Sequence, residues 1–292
     1  ATSIVIAAQY LRLHENEAAR AATAAARAYR ERMADYSSMR ALDVWYDTIT
    51  VDRVLAETPS EEVRKRIVKR LQKARQQSTA EYIFPKLAEH HGALPKIKDN
   101  PPLIFHLTEE QAPGQRTQYR EVIASYRESL AEHVRVLFDR FRFYDTAIKV
   151  VGVGSVGTVC SVALFMAADN DPIFLQVKEA RASVLEPYAG PSLHANHGQR
   201  VVAGQRLMQG ASDIFLGWTT TKNGRDVYIR QLRDVKISAI VEGWDVDLLT
   251  AYGRLCAWAL ARAHARSGDA ALIAGYMGSS AVFDDAICEF AV

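Results

Sequence analysis

Residues 148–159 read Ile-Lys-Val-Val-Gly-Val-Gly-Ser-Val-Gly-Thr-Val, a G-x-G-x-x-G-x-V run carried by Gly152, Gly154, Gly157 and Val159. Three glycines entered from β-branched residues demand a turn of bare backbone next to extended chain. Such a turn lets backbone N–H groups approach phosphates without interference from Cβ atoms. A second run, Phe174-Leu-Gln-Val-Lys-Glu-Ala180, reads as an apolar strand with one lysine, Lys178, near its end. A lysine within such a strand costs desolvation unless an anion meets it.

The surroundings of these runs set the fold class. Residues 1–147 carry helical patterning: an apolar helix at 3–12, an Ala/Arg/Glu-rich one at 15–39, and one opened by Pro59-Ser60-Glu61-Glu62 that runs to about 76. In the last of these Val63, Ile67, Val68 and Leu71 form one buried stripe, and Arg64, Lys65, Arg66 and Lys69 form a solvated basic face. Residues 92–104 read as a loop with short extended pieces, and 108–143 as helix again. From 148 to 236 glycine and β-branched residues rise. Strands are expected at 148–153, 158–167, 173–179, 213–220 and 226–232, with a helix at about 196–210. Asn170-Asp171-Pro172 and Asn223-Gly224 supply hairpin turns. Two further helices, 245–264 and 281–291, close the chain. The expectation is an α+β protein with three regions: helical 1–147, β-rich 148–236 and helical 237–292.

The glycine run allows three readings. In one, the run and Lys178 are the two phosphate-gripping parts of a protein-kinase-like N-terminal lobe. In another, it is a glycine-rich β-turn with no ligand. In the third, it is a dinucleotide-binding turn followed by a helix at 158–168, with Glu179 on a ribose. Against the third, Thr158-Val-Cys-Ser-Val162 is β-rich and lacks a helix cap, and hairpin turns imply antiparallel neighbours rather than parallel crossovers. In the kinase-like reading Gly152, Gly154, Ser155, Gly157 and Lys178 contact the nucleotide, and the hinge around Gln231 receives its base. A glutamate from the following helix would pair with Lys178. That helix has none between 196 and 210, Glu186 precedes it, and Glu179 points to the opposite face.

Composition excludes more than it selects. The net charge of +2 gives no reason to expect nucleic acid. No apolar run approaches the roughly 20 residues that span a bilayer. Cys160, Cys256 and Cys288 are odd in number and set among apolar residues. They read as buried thiols of a reducing, cytoplasmic compartment, with no metal site. His90, His91 and His106 read as helix-end residues without a matching third ligand, and His264 as a packed or helix-terminal histidine.

Several long runs, among them Val150–Thr158, Phe174–Ala180, Asn196-His-Gly-Gln-Arg-Val-Val202, Ser212-Asp-Ile-Phe-Leu-Gly-Trp218, Arg230–Asp234 and Trp258–Gly268, closely resemble domain-of-unknown-function family 2252. The resemblance covers nearly the whole chain and is strongest over 145–290. It implies uncharacterised, mostly bacterial proteins related to the protein-kinase and aminoglycoside-phosphotransferase fold, circularly permuted. Members carry G-D-x-H-x-x-N-F-G and D-F-D runs upstream, similar to catalytic-loop and metal-binding motifs. This implies that 1–292 is a fragment holding the nucleotide-gripping lobe, with ATP and magnesium as cofactors and an unidentified phosphate acceptor. It also implies catalytic residues outside the chain. A non-catalytic, pseudokinase-like binding module stands as the alternative.

Overall fold

Helix α1 (Thr2–Tyr10) and helix α2 (Glu15–Ser38) open the chain, and Glu17 starts α2 by accepting a 2.8 Å bond from the His14 N–H. The structure, a computed structural model, describes residues 1–58, 60–76, 79–92, 94–111, 115–152, 157–232 and 241–291. Helices α3 (Ala41–Tyr46), α4 (Val51–Ala56) and α5 (Glu61–Gln76) follow. After a π-helical turn, Thr79–Ile83, come α6 (Phe84–Leu87), β1 (Ala88–His91), β2 (Leu94–Ile97) and β3 (Ile104–Phe105). Then come α7 (Gln115–Glu128), α8 (Glu132–Phe138), β4 (Arg142–Lys149), β5 (Cys160–Met166) and β6 (Pro172–Glu179). They are followed by α9 (Glu186–Ala189), α10 (His197–Met208), β7 (Gly217–Thr220) and β8 (Asp226–Gln231). The last described elements are α11 (Val246–Ser267), α12 (Ala270–Met277) and α13 (Val282–Ala291).

These elements fall into two compact units. One comprises residues 1–73, 207–210 and 237–292 and is helical. Its centre is α2, whose buried face carries Ala18, Ala21, Ala22, Ala25 and Ala26 before Met33 and Tyr36. Small side chains let α11 approach closely, and Gly253 on α11 faces Ile4 and Ala25, where an added Cβ would stand 2.9 Å from the Ile4 Cδ1 and 3.4 Å from the Ala25 Cβ. Met33, Tyr36, Trp258, Ala261 and Met277 form the main core, where the Trp258 indole N–H donates to the Tyr36 hydroxyl at 2.9 Å. Asp284 on α13 is fully buried and is held by the Arg30 guanidinium through two bonds of 2.9 and 2.7 Å.

The other unit, residues 74–206 and 211–236, holds a six-stranded sheet of order β3-β4-β5-β6-β8-β7 in which every pairing is antiparallel. Side chains alternate across it. One face carries Ala163, Phe165, Ile173, Leu175 and Ile229, which pack on Tyr126, Val134 and Phe138 of α7 and α8. The other face carries Val162, Leu164, Met166 and Phe174, which pack on Ile83, Ala88 and Ile97 from the segment around the β1–β2 hairpin.

Several expectations are corrected. The strand expected at 148–153 begins at Arg142, inside what reads as helix, because β4 is captured by β5: Arg142 pairs with Met166 and Phe143 with Phe165. The expected helix 108–143 is also broken at Ser129, whose hydroxyl bonds back to the Tyr126 carbonyl at 2.7 Å. The boundary placed at residue 148 moves to about 74, since α7, α8 and the β1–β2 hairpin cover the sheet. His90 and His91 lie in β1 rather than at a helix end. Cys160 is buried but Cys256 is exposed, on an outward position of α11. Residues 160–166, which a dinucleotide fold would make helical, form the central strand β5.

Candidate functional site

The glycine turn joins β4 to β5, and Lys178 lies one strand further on, in β6. Position β6 is interior, between β5 and β8, so Lys178 is not on an edge strand. The register places Lys178 opposite Cys160 on one side and Tyr228 on the other. All three side chains therefore share one face, and the Lys178 ammonium lies 5.9 Å from the Tyr228 ring centroid. Further along that face the apolar packing gives way to Gln176, which is buried and donates to the Cys160 sulfur at 3.4 Å. Arg230 donates to the Gln176 side-chain oxygen at 3.3 Å.

This end of the sheet is cationic. Burial pushes the Cys160 thiol up, against the opposing charges of Lys178, Lys149 and Arg230, all close enough to act on it. Neither Lys178 nor Arg230 forms an ion pair with a carboxylate among the described residues. A half-buried lysine and an arginine on one face, neither of them ion-paired among the described residues, favour an anion there.

Glu179, on the opposite face, has another task. Its side chain is 9 % exposed and accepts from the Arg181 guanidinium at 2.7 Å and from the Val159 N–H at 2.9 Å. The Arg181 guanidinium, ahead of the Val159 N–H, holds the Glu179 carboxyl below the usual range. Arg181 also donates to the Gly157 carbonyl, and Arg200 on α10 donates to the Arg181 carbonyl at 2.8 Å. The exit of the glycine turn is thus pinned to the lysine strand and to α10. Gly157 itself needs its glycine, with φ at 78°.

Of the residues predicted from sequence, Gly152 and Gly157 flank the turn and Lys178 stands in the neighbouring strand. Gly154 and Ser155 lie outside the described residues. Gln231 is not brought to Lys178: it pairs with Leu175 on the other face, and its N–H donates to the Asp213 carboxylate at 2.5 Å. Residues 233–240, expected to continue the hinge, also lie outside the described residues. Glu186 accepts from the Ser183 N–H at 3.2 Å and makes no ion pair with Lys178. Sequence reading missed Lys149, Gln176 and Arg230. Strand alternation puts Gln176 beside Lys178, but only the β6–β8 register brings Arg230 to them. His264 accepts or donates a 2.8 Å bond with the Tyr29 hydroxyl, and His106 joins two carboxylates, Asp99 at 2.8 Å and Asp145 at 3.0 Å. Among the described residues no group of three His, Cys, Asp or Glu side chains could hold a metal ion, and no helix is long and apolar enough to cross a membrane.

No curated protein and no solved structure matches the chain. One family does, described as an uncharacterised protein conserved in bacteria, and its match extends over residues 1–292. Across its whole length, therefore, this chain belongs to the DUF2252 family.

Proposed function

We propose that the sheet unit binds the phosphates of a nucleotide, as the phosphate-gripping part of an ATP-dependent, kinase-like phosphotransferase. The observation that carries this reading is Lys178: a half-buried lysine in an interior strand, next to the glycine turn, sharing its face with Arg230 and having no carboxylate partner among the described residues. In this reading backbone N–H groups of the glycine turn cover the phosphates while Lys178 and Arg230 neutralise them. The antiparallel order of the sheet, with the lysine in the third strand counted from β4 and a helix before the last hairpin, supports the same assignment.

The donor set fits a polyphosphate and supplies nothing for magnesium. A divalent ion would sit on the phosphates and on carboxylates that the proposal does not assign to this chain. Magnesium would supply neutralisation of the transferring phosphoryl group; the chain's own residues bind and orient. The acceptor is unassigned. A second reading, a pseudokinase-like module that binds nucleotide or a partner without turnover, is favoured by one observation: α10 offers no glutamate to Lys178.

Titration with ATP, with and without magnesium, tests the first reading. Wild-type protein is expected to bind, and Lys178→Ala to bind at least about tenfold more weakly, as loss of a charge-assisted contact requires. Equal affinities would remove Lys178 from the site. Binding without magnesium-dependent hydrolysis, in the longer form that the resemblance implies, would favour the second reading.

A further inference from the structure

Behind the lysine, on the face that α7 covers, the sheet unit holds a cavity of about 420 Å³. This size is within the range of small-molecule sites. Its walls are aliphatic: Val122 of α7 with Ile148, Val159, Val177 and Val227 of the sheet region. Its floor is polar. Ser161 is 2 % exposed, and its hydroxyl meets the Tyr119 hydroxyl. Burial pushes the Tyr119 phenol up, so that pair stays neutral. A serine hydroxyl has one donor and two lone pairs, and Tyr119 uses only part of them.

The mouth is formed by the β7–β8 turn, and its charges can be accounted for one by one. Lys222 is paired with Glu121 at 2.5 Å. Glu179 is paired with Arg181. Arg225 also lines the cavity, and its guanidinium makes no hydrogen bond and no ion pair among the described residues. The mouth therefore carries one guanidinium, Arg225, that no hydrogen bond or close ion pair occupies among the described residues and that feels the Glu179 carboxylate only at a distance, above an apolar chamber.

We propose that this cavity binds a small amphipathic carboxylic acid, with its hydrocarbon body between the valines and its carboxylate on Arg225. Guanidinium and carboxylate match in geometry and charge, and the aliphatic body removes the chamber's walls from water. The site is independent of the phosphate-binding reading, since it lies on the opposite face of β6. It is nevertheless coupled to the glycine turn. Val159 and Glu179 line the cavity and also make the bond that pins the end of that turn. An occupant is expected to slow hydrogen exchange at the Val159 amide.

Octanoate and octanol are the probes, titrated calorimetrically into nucleotide-free protein. Octanoate is expected to bind, Arg225→Gln to weaken it at least about tenfold, and octanol to bind wild type and Arg225→Gln alike. Val177→Phe, which fills the chamber, should abolish binding of both. Arg225 is exposed, so its replacement keeps the test valid if Val177→Phe fails to fold. No octanoate binding to wild type at millimolar concentration, or equal octanoate affinity in Arg225→Gln, would overturn the assignment. Because no nucleotide is present, neither result depends on whether Lys178 meets a phosphate.

Discussion

The Glu179 carboxylate accepts a 2.9 Å hydrogen bond from the Val159 N–H, so the strand that carries Lys178 also holds the last residue of the glycine run. Adjacent residues of one strand thereby serve two faces of the sheet. Lys178 adds charge to one, and Glu179 fixes backbone on the other.

Arg181→Gln removes the guanidinium that bonds both Glu179 and the Gly157 carbonyl. The amides of Gly157, Thr158 and Val159 are expected to exchange faster with solvent, read by hydrogen–deuterium exchange. If the glycine turn covers phosphates, ATP affinity falls at the same time by about tenfold. Unchanged exchange would show that the turn is ordered by other contacts.

His106 predicts a pH dependence of stability. Hydrogen bonding to Asp145 first, and to Asp99 as well, raises the His106 pKa in the folded protein. A raised folded value means that the imidazolium stabilises the fold. The gain is fully present below the unfolded histidine value of about 6.5 and is lost as pH rises through the higher folded value. Wild type should exceed His106→Gln in Tm by more at pH 5.5 than at pH 8.5. A constant difference across that range would mean that the charge contributes nothing.

Asp284 is fully buried, and removing it takes from Arg30, whose side chain is only 12 % exposed, its one hydrogen-bonded carboxylate, leaving only the more distant charge of Glu31. Asp284→Ala should destabilise the helical unit by about 3 kcal/mol in urea unfolding. The double variant Arg30→Met, Asp284→Leu should regain part of that loss, because it removes both buried charges and leaves unpaired only the half-exposed Arg27, which also reaches Asp284. A double variant no better than Asp284→Ala would point to packing, rather than charge, as the origin.

Gly198 of α10 lies against β8, where an added Cβ would stand 2.3 Å from the Val227 carbonyl oxygen. Gly198→Ala should cost about 1–3 kcal/mol, since backbone must move to admit it. The Asn196 and Asp226 bonds that seat the start of α10 should weaken with it. A thermal melt compared with that of Gly204→Ala, where nothing lies within 4 Å, provides the control.

Local chemistry made much of this fold readable in advance. Helix α2 is marked by its alanine stripe, β5 and β6 by β-branched and apolar runs, and the β7–β8 hairpin by Asn223-Gly224, with Gly224 at φ 71°. The start of β4 was not readable. Phe141-Arg-Phe-Tyr144 continues a helical pattern, and only the pairing with β5 makes it a strand. The candidate site shows the same division. Lys178 and the glycines stand out from their neighbours in sequence, whereas Arg230 and Lys149 are ordinary basic residues until the register sets them around Cys160. Arg181 as the clamp on Gly157 depends on a bond across 24 positions, which no local pattern encodes.

The β5–β6 hairpin closes where the Ala167 N–H donates to the Asp171 carbonyl and the Asp171 N–H to the Ala168 carbonyl, which sets Met166 opposite Pro172 and so, six residues further along each strand, Cys160 opposite Lys178. A strand shifted by one residue presents its other face. With such a shift in β6, Lys178 would turn toward α7 and Glu179 toward Arg230 and Lys149, reversing the sign of both surfaces. The Asn170-Asp171-Pro172 turn, remote from any charge in the site, thus decides which side of the sheet is cationic.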